Sequence, residues 1–180
     1  MVQFFGDFGS LINSGTMSSP TRTGYNGDND SSFNYGVVNA ASPVLLGQFS
    51  RANDRLVNGG TISANDFDDA AQTFRLNNGV LVEGADLVTN LAAGTIIAVS
   101  SEGAGVRFNG NGGNSVLQNL GHIESLQDFG VNLATVYTGA APIRVYNWGT
   151  ISGGDGAYNG SVNADLLVSR GQLIGGATTN

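Results

Sequence analysis

The chain has 180 residues, a length typical of one domain, and a formal net charge of −7 at pH 7. Its seven basic residues are all arginines spread along the sequence, so they do not form the clustered positive charge that nucleic acids and anionic membranes require. Cysteine is absent, which excludes disulfides, thiolate metal sites and a cysteine nucleophile. No apolar run is long enough to span a membrane and no signal peptide is visible, so we expect no membrane insertion.

The composition favours an all-β fold with many tight bends. The chain contains 28 glycines and 3 prolines, and it has no Gly-X-Y period, which excludes collagen. Apolar residues make up 41% of the sequence, enough to bury a core. Long stretches with apolar residues at helical spacing are missing, and glycine interrupts almost every window that could form a helix.

A short motif recurs along the chain, in the order apolar, any residue, Asn, any residue, Gly, Thr, apolar, Ser. Residues 1–10 precede the first copy and are interpreted as an N-terminal extension. Clear copies occupy residues 11–18, 56–63, 117–124 and 145–152, and weaker copies surround Gly36, Gly79, Gly94 and Gly171. The eight glycine anchors, from Gly15 to Gly171, have a mean spacing of about 22 residues.

This repeat predicts a right-handed parallel β-helix of about 7–8 irregular rungs, forming a single domain over residues 1–180. Asn and Gly tolerate left-handed backbone angles and can turn the chain, while Thr-Ile-Ser alternates polar and apolar residues as a half-buried strand does. We expect one inward column to contain Ile62, Ile96, Ile123, Ile151 and Leu81. We expect an asparagine ladder at the neighbouring bend to contain Asn58, Asn77, Asn119 and Asn147.

Two acidic segments are candidate sites of chemistry. Residues 20–32 are interpreted as a polar loop insertion, in which Asp28 and Asp30 with Asn26 offer oxygen ligands suited to Ca²⁺. The EF-hand spacing and its bidentate Glu are missing, so an exposed acidic turn without a cofactor is the favoured interpretation. Asp66, Asp68 and Asp69 form the densest acidic group, and a solvated loop is favoured over a glycosidase-type carboxylate pair.

The remaining candidates are exposed side chains near the bend glycines. His122, the only histidine, is expected to face outward and lacks partners for a triad or metal site. Three residues stand directly before a bend glycine, namely Tyr35, Leu120 and Trp148. Residues of very different kinds occupy this position in the other copies, so we expect it to be exposed. These three are the candidate contact residues, since exposed aromatic groups stack on sugars or anchor protein interfaces, although packing on a neighbouring loop also explains them. No catalytic, cofactor-binding or metal-binding residue is predicted.

At residues 56–63 and 145–153 the sequence resembles bacterial secreted proteins with Asn-x-Gly-Thr-Ile-Ser-Gly repeats. Autotransporter passenger domains and the repeat regions of type I-secreted adhesins and haemolysin-type proteins carry such repeats, and the resemblance covers about residues 10–175. It implies a structural or adhesive role outside the cell or at its surface. The calcium-binding nonapeptides of haemolysin-type proteins are not reproduced, because Gly153-Gly154-Asp155-Gly156 does not repeat in tandem.

The sequence therefore predicts a non-enzymatic structural or adhesive module of a bacterial surface or secreted protein. The alternative is a carbohydrate-active or carbohydrate-binding β-helix of the polysaccharide lyase or glycosidase type. Expected partners are other copies of the chain, neighbouring β-helix segments of a longer protein, or a surface glycan, and nucleic acid is not expected.

Overall fold

A computed structural model describes residues 3–4, 9–19, 24–25, 30–40, 44–46, 53–64, 77–99, 103–110, 114–136, 141–175 and 177–178. These residues form short strands and bends and contain no helix, hence none long and apolar enough to cross a membrane. The strands are β1 (Gln3–Phe4), β2 (Ser10–Asn13), β3 (Thr16–Ser19), β4 (Gly24–Tyr25), β5 (Ser31–Asn34), β6 (Val37–Ala40), β7 (Val44–Leu46), β8 (Arg55–Asn58), β9 (Thr61–Ala64), β10 (Val80–Val82), β11 (Leu87–Asn90), β12 (Thr95–Ala98), β13 (Val106–Gly110), β14 (Val116–Asn119), β15 (His122–Ser125), β16 (Phe129–Val136), β17 (Arg144–Asn147), β18 (Thr150–Gly153), β19 (Gly156–Asn159), β20 (Leu166–Ser169), β21 (Gln172–Ile174) and β22 (Ala177–Thr178).

Every third strand belongs to the same sheet, and all neighbouring strands are parallel. Sheet A contains the eight strands from β1 to β22, sheet B the seven from β2 to β20, and sheet C the seven from β3 to β21. Three consecutive strands make one rung, so the described residues form seven three-stranded rungs and β22 begins another. The predicted parallel β-helix and its number of rungs are confirmed, and residues 3–4 and 10 of the expected extension belong to strands.

The core lies between the three sheets and is built from inward-facing columns of apolar side chains. Ile62, Ile96, Ile123 and Ile151 are aligned by the register of sheet C, and all four are fully buried. This part of the predicted column is confirmed, because strand alternation directs the second residue of each of these four strands inward. Val38 extends the column at one end, and Met17 and Leu173 pack against the same core.

The prediction placed Leu81 and Asn77 in the wrong columns. Leu81 is half-buried and lies in sheet A, where its register partners are Leu45 and Arg107. The glycine before this strand, Gly79, is therefore not a bend of the main repeat. Once it is removed, the 156 residues between Gly15 and Gly171 make six intervals, so the rungs average 26 residues rather than 22.

An asparagine ladder runs along the bend between sheets B and C. Each side-chain Nδ2 donates a hydrogen bond of 2.8–2.9 Å to the Oδ1 of the asparagine in the next rung. The ladder comprises Asn13, Asn34, Asn58, Asn90, Asn119 and Asn147, and its last donor bonds to the Ser169 hydroxyl at 3.0 Å. Each Nδ2 also donates to a backbone carbonyl at the start of the next strand in sheet C, as Asn119 does to Thr150. These buried amides are therefore satisfied by the stack itself, as cross-β ladders are.

The bend glycines are required by the closeness of the rungs. A Cβ atom at Gly60, Gly121, Gly149 or Gly171 would overlap the carbonyl oxygen of the equivalent glycine in the preceding rung. Positive φ angles occur among the described residues only at Asn53, Asn114 and Gly175, so left-handed geometry does not explain the Asn-x-Gly motif. Glycine is needed here because the backbones of successive rungs approach each other closely.

Candidate contact face

The outer face of sheet B brings the predicted contact residues together. Tyr35, Leu120 and Trp148 each follow a ladder asparagine, and each backbone N–H donates to the ladder asparagine carbonyl of the preceding rung at 2.8 Å. They therefore occupy one column, with exposed fractions of 55%, 44% and 47%. Their predicted exposure agrees with the structure.

Leu91 is a member of this column that the sequence analysis missed. Its N–H makes the same bond, to the carbonyl of Asn58 at 2.7 Å. Gly59 occupies the intervening rung, and a Cβ built there would lie 3.1 Å from the Tyr35 ring and 3.3 Å from a Leu91 methyl group. The side chains of Tyr35 and Leu91 thus close over Gly59, and the apolar column continues from Tyr35 to Trp148.

The residue before Gly79 does not belong to this column, although Gly79 was predicted to be a bend glycine of the same repeat. Asn78 is fully buried in a different bend, where its Oδ1 accepts hydrogen bonds from the Ala104 N–H and from Arg107 Nε. Ala93 precedes Gly94 but is displaced by an insertion, because two extra residues separate Asn90 from Gly94. At this rung the residue before the glycine, Ala93, is therefore not the member of the column. The residue after the ladder asparagine, Leu91, is.

A parallel column that contains two aromatic residues, Phe33 and Tyr146, borders the first. Tyr146 lies on the outer face of β17, and its ring centroid is 6.0 Å from that of Trp148 with an interplanar angle of 13°. In the same column, the guanidinium of Arg55 lies over the ring of Phe33, 5.8 Å from the ring centroid, which is a cation–π geometry. The face thus carries one aromatic ring pair, on and just after β17, and one cation–π contact between β5 and β8.

The charge of this face differs from that of the whole chain. We define the sheet B face as the first and third residues of each sheet B strand together with the residue that follows the strand. Arg55, Arg144 and Arg170 are exposed on it, and no position of the face carries a carboxylate. The fourth described arginine, Arg107, is buried. The sequence alone shows seven dispersed arginines, and only the register shows that three of them share one face.

The buried charged groups stabilise bends. Arg107 makes a salt bridge with Asp128, and its Nε donates to Asn78 at 3.0 Å, so both charges are compensated away from solvent. Burial, and secondly the charge of Asp165, raises the pKa of the Tyr158 phenol well above its usual range. None of these groups is open to a ligand, and this arrangement is structural.

Asp30 corrects the prediction of an exposed acidic turn. It is buried, its Oδ1 accepts the Gly9 N–H at 2.6 Å, and its own N–H donates to Asp54 Oδ1 at 3.0 Å. Asp54 bonds in the same way to Asp86, so these carboxylates hold the bend before sheet B. The proposed loop over residues 20–32 also includes β4 and the start of β5, because these segments pair with neighbouring rungs.

The other candidate residues of the two acidic segments lie outside the described residues, namely Asn26, Asp28, Asp66, Asp68 and Asp69. Within the described part of the chain, no group of three His, Asp or Glu side chains could hold a metal ion. His122 is half-buried on the outer face of sheet C, with its Nε2 3.2 Å from Glu124 Oε2. This position agrees with the predicted outward orientation.

Comparison of the chain with protein-family models, curated proteins and solved structures gave no significant match. The geometry of the contact face and the repeat motif are therefore the features of this chain that bear on its function.

Proposed function

We propose that this chain is a non-enzymatic structural and adhesive β-helical module that makes contact through the sheet B face. The observation that carries the proposal is the column from Tyr35 to Trp148, in which Tyr35, Leu120 and Trp148 are exposed and Leu91 is half-buried, on a continuous hydrogen-bonded stack. Apolar side chains exposed in a row are typical of interaction surfaces rather than of solvated ones. The asparagine ladder and three continuous sheets would keep such a row straight and rigid.

The resemblance of the repeat to autotransporter and adhesin segments supports a location outside the cell or at a bacterial surface. Neighbouring β-helix segments or further copies of the chain are proposed partners. Within the described residues β20 and β21 pair on one side only, and such strand edges can accept another strand. Light scattering across a concentration range tests pairing between copies: growth in mass supports it, and a constant monomer mass contradicts it.

Adhesion can be tested with beads coated with the chain and applied to surfaces bearing polysaccharides or proteins. We expect the wild-type beads to adhere and the double variant Leu120→Ala/Trp148→Ala to detach, since both side chains are exposed and their loss removes the contact column. Leu126→Ala is the matched control, because Leu126 is equally exposed but follows β15 in sheet C. Equal adherence of all three proteins would contradict the proposal.

The enzymatic alternative is tested by incubating the chain with neutral and acidic polysaccharides. We expect binding without the appearance of new reducing or unsaturated ends. Clear turnover that is abolished by Asp68→Ala or Asp69→Ala would replace the adhesive proposal with a polysaccharide-cleaving activity.

A further inference from the structure

The aromatic pair at the sixth rung has the form of a sugar-stacking site. Tyr146 and Trp148 present nearly parallel rings on the outside of the solenoid, with Trp148 about half exposed. A pyranose ring has one face of C–H groups and a rim of hydroxyls, so it can bury that face on an aromatic ring while its rim stays hydrogen-bonded. Gln118 lies one rung away in the column of Tyr146, where its amide can bond to hydroxyl groups.

Two arginines give the site its charge. Arg144 is exposed two residues before Tyr146 on the same strand, and Arg170 occupies the column of Trp148 in the next rung. No carboxylate stands on the sheet B face, although the chain carries a net charge of −7. A guanidinium binds a carboxylate through two parallel hydrogen bonds, and the rest of the acidic molecule would repel anions from other faces.

We propose that Arg144, Tyr146, Trp148 and Arg170 form a binding site for an acidic glycan, with a sugar ring on the aromatic pair and carboxylates of the glycan at the arginines on either side of it. This inference rests on the proposed adhesive function and names the ligand of the same face. A glycan fits the observations better than a protein partner. The neighbours of the ring pair in the adjoining rungs are both polar and apolar, namely Gln118, Val168, Leu120 and Arg170. A sugar presents the same mixture in its C–H face and hydroxyl rim, whereas a protein interface has an apolar centre with the polar groups at its rim.

The site is tested by calorimetric titration of the chain with trigalacturonate, and with maltotriose as the uncharged comparison. We expect trigalacturonate to bind and its affinity to fall as salt rises, because screening weakens the arginine contacts. Trp148→Ala and the double variant Arg144→Gln/Arg170→Gln should each lower the affinity roughly tenfold or more. Leu126→Ala should leave it unchanged, and thermal melting of each variant verifies that the exposed substitutions preserve the fold.

Several outcomes would overturn the inference: no binding of trigalacturonate, equal binding of maltotriose, or affinity unaffected by the arginine variant. Self-association that depends on Trp148 without sugar binding would identify the site as a protein contact and also overturn it. If the coated beads still adhere through the sheet B face in these cases, the adhesive proposal stands and only the acidic ligand is wrong. If adhesion also fails, both are wrong.

Discussion

Ile123 and His122 are consecutive residues on opposite faces of β15. Ile123 is fully buried in the isoleucine column, so Ile123→Ala should create a cavity and lower the free energy of unfolding by about 2–5 kcal/mol. His122→Ala removes only a partly exposed ring and its contact with Glu124, and should change stability by about 0.5 kcal/mol or less. Denaturant midpoints of the two variants provide the measurement, and a larger loss at His122 would contradict the assigned faces.

The bend glycines allow a second comparison at the scale of one residue. A methyl group at Gly149 would overlap the backbone of Gly121, whereas nothing lies within 4 Å of a Cβ built at Gly15. Gly149→Ala should therefore cost about 1–3 kcal/mol or more through overpacking, while Gly15→Ala should be nearly neutral. Thermal unfolding distinguishes the two, and equal melting temperatures would show that rung spacing relaxes easily. The positions of these glycines were predicted from the sequence, but the predicted cause was left-handed backbone angles. The actual cause is the short distance between rungs, which a sequence does not show.

Tyr158 provides a pH-dependent test. Its pKa is raised in the folded state, first by burial and then by Asp165, so its contribution to stability is complete below the unfolded pKa of 10.0. Above that pH the unfolded chain loses the phenolic proton first, and the free energy of unfolding should fall as pH rises. For Tyr158→Phe, the free energy of unfolding measured by urea titration should fall less steeply over the same pH interval. The chain has no lysine, so only tyrosines titrate strongly there, and identical slopes would contradict the burial of this phenol.

At the scale of the structural element, the asparagine ladder should make a measurable contribution. Asn119→Ala removes the acceptor of Asn90 and leaves Asn147 Oδ1 without its donor in a buried bend. We expect a loss of about 1–3 kcal/mol in the free energy of unfolding. The neighbouring Gln118 faces outward, so Gln118→Ala should cost about 0.5 kcal/mol or less. Similar urea midpoints for the two variants would mean that water replaces the ladder bonds without cost.

The ladder also shows how far sequence reasoning reaches. Asn58, Asn119 and Asn147 were predicted from a fixed Asn-x-Gly spacing, and the structure confirms them. The same rule selected Asn77 and missed Asn90, because the register depends on strand pairing and not on the distance to the next glycine. Successive ladder asparagines are separated by 21 to 32 residues, a range too wide for alignment by spacing alone.

At the scale of the whole molecule, each rung contacts its neighbours along a single stack. Stability in such an array is the sum of local terms, so amide hydrogens of the central strands β11 and β14 should exchange more slowly than those of β2 and β20. Hydrogen exchange followed by mass spectrometry measures this gradient. Uniform protection would indicate one cooperative unit instead. The positive charge of the sheet B face also belongs to the whole molecule, because the register of all seven rungs determines which side chains share that face.

The two extra residues between Asn90 and Gly94 have a consequence for how such a chain can change. The insertion closes with a hydrogen bond from the Gly94 N–H to the Leu91 carbonyl at 2.8 Å, and the strands on both sides keep their partners. Length can thus vary at this corner without disturbing the core, as in surface loops generally. Because the corner adjoins the column that leads to Trp148, additions there would change the shape of the sheet B face while the scaffold stays constant. Evolution, or a designer, could vary this single edge one rung at a time.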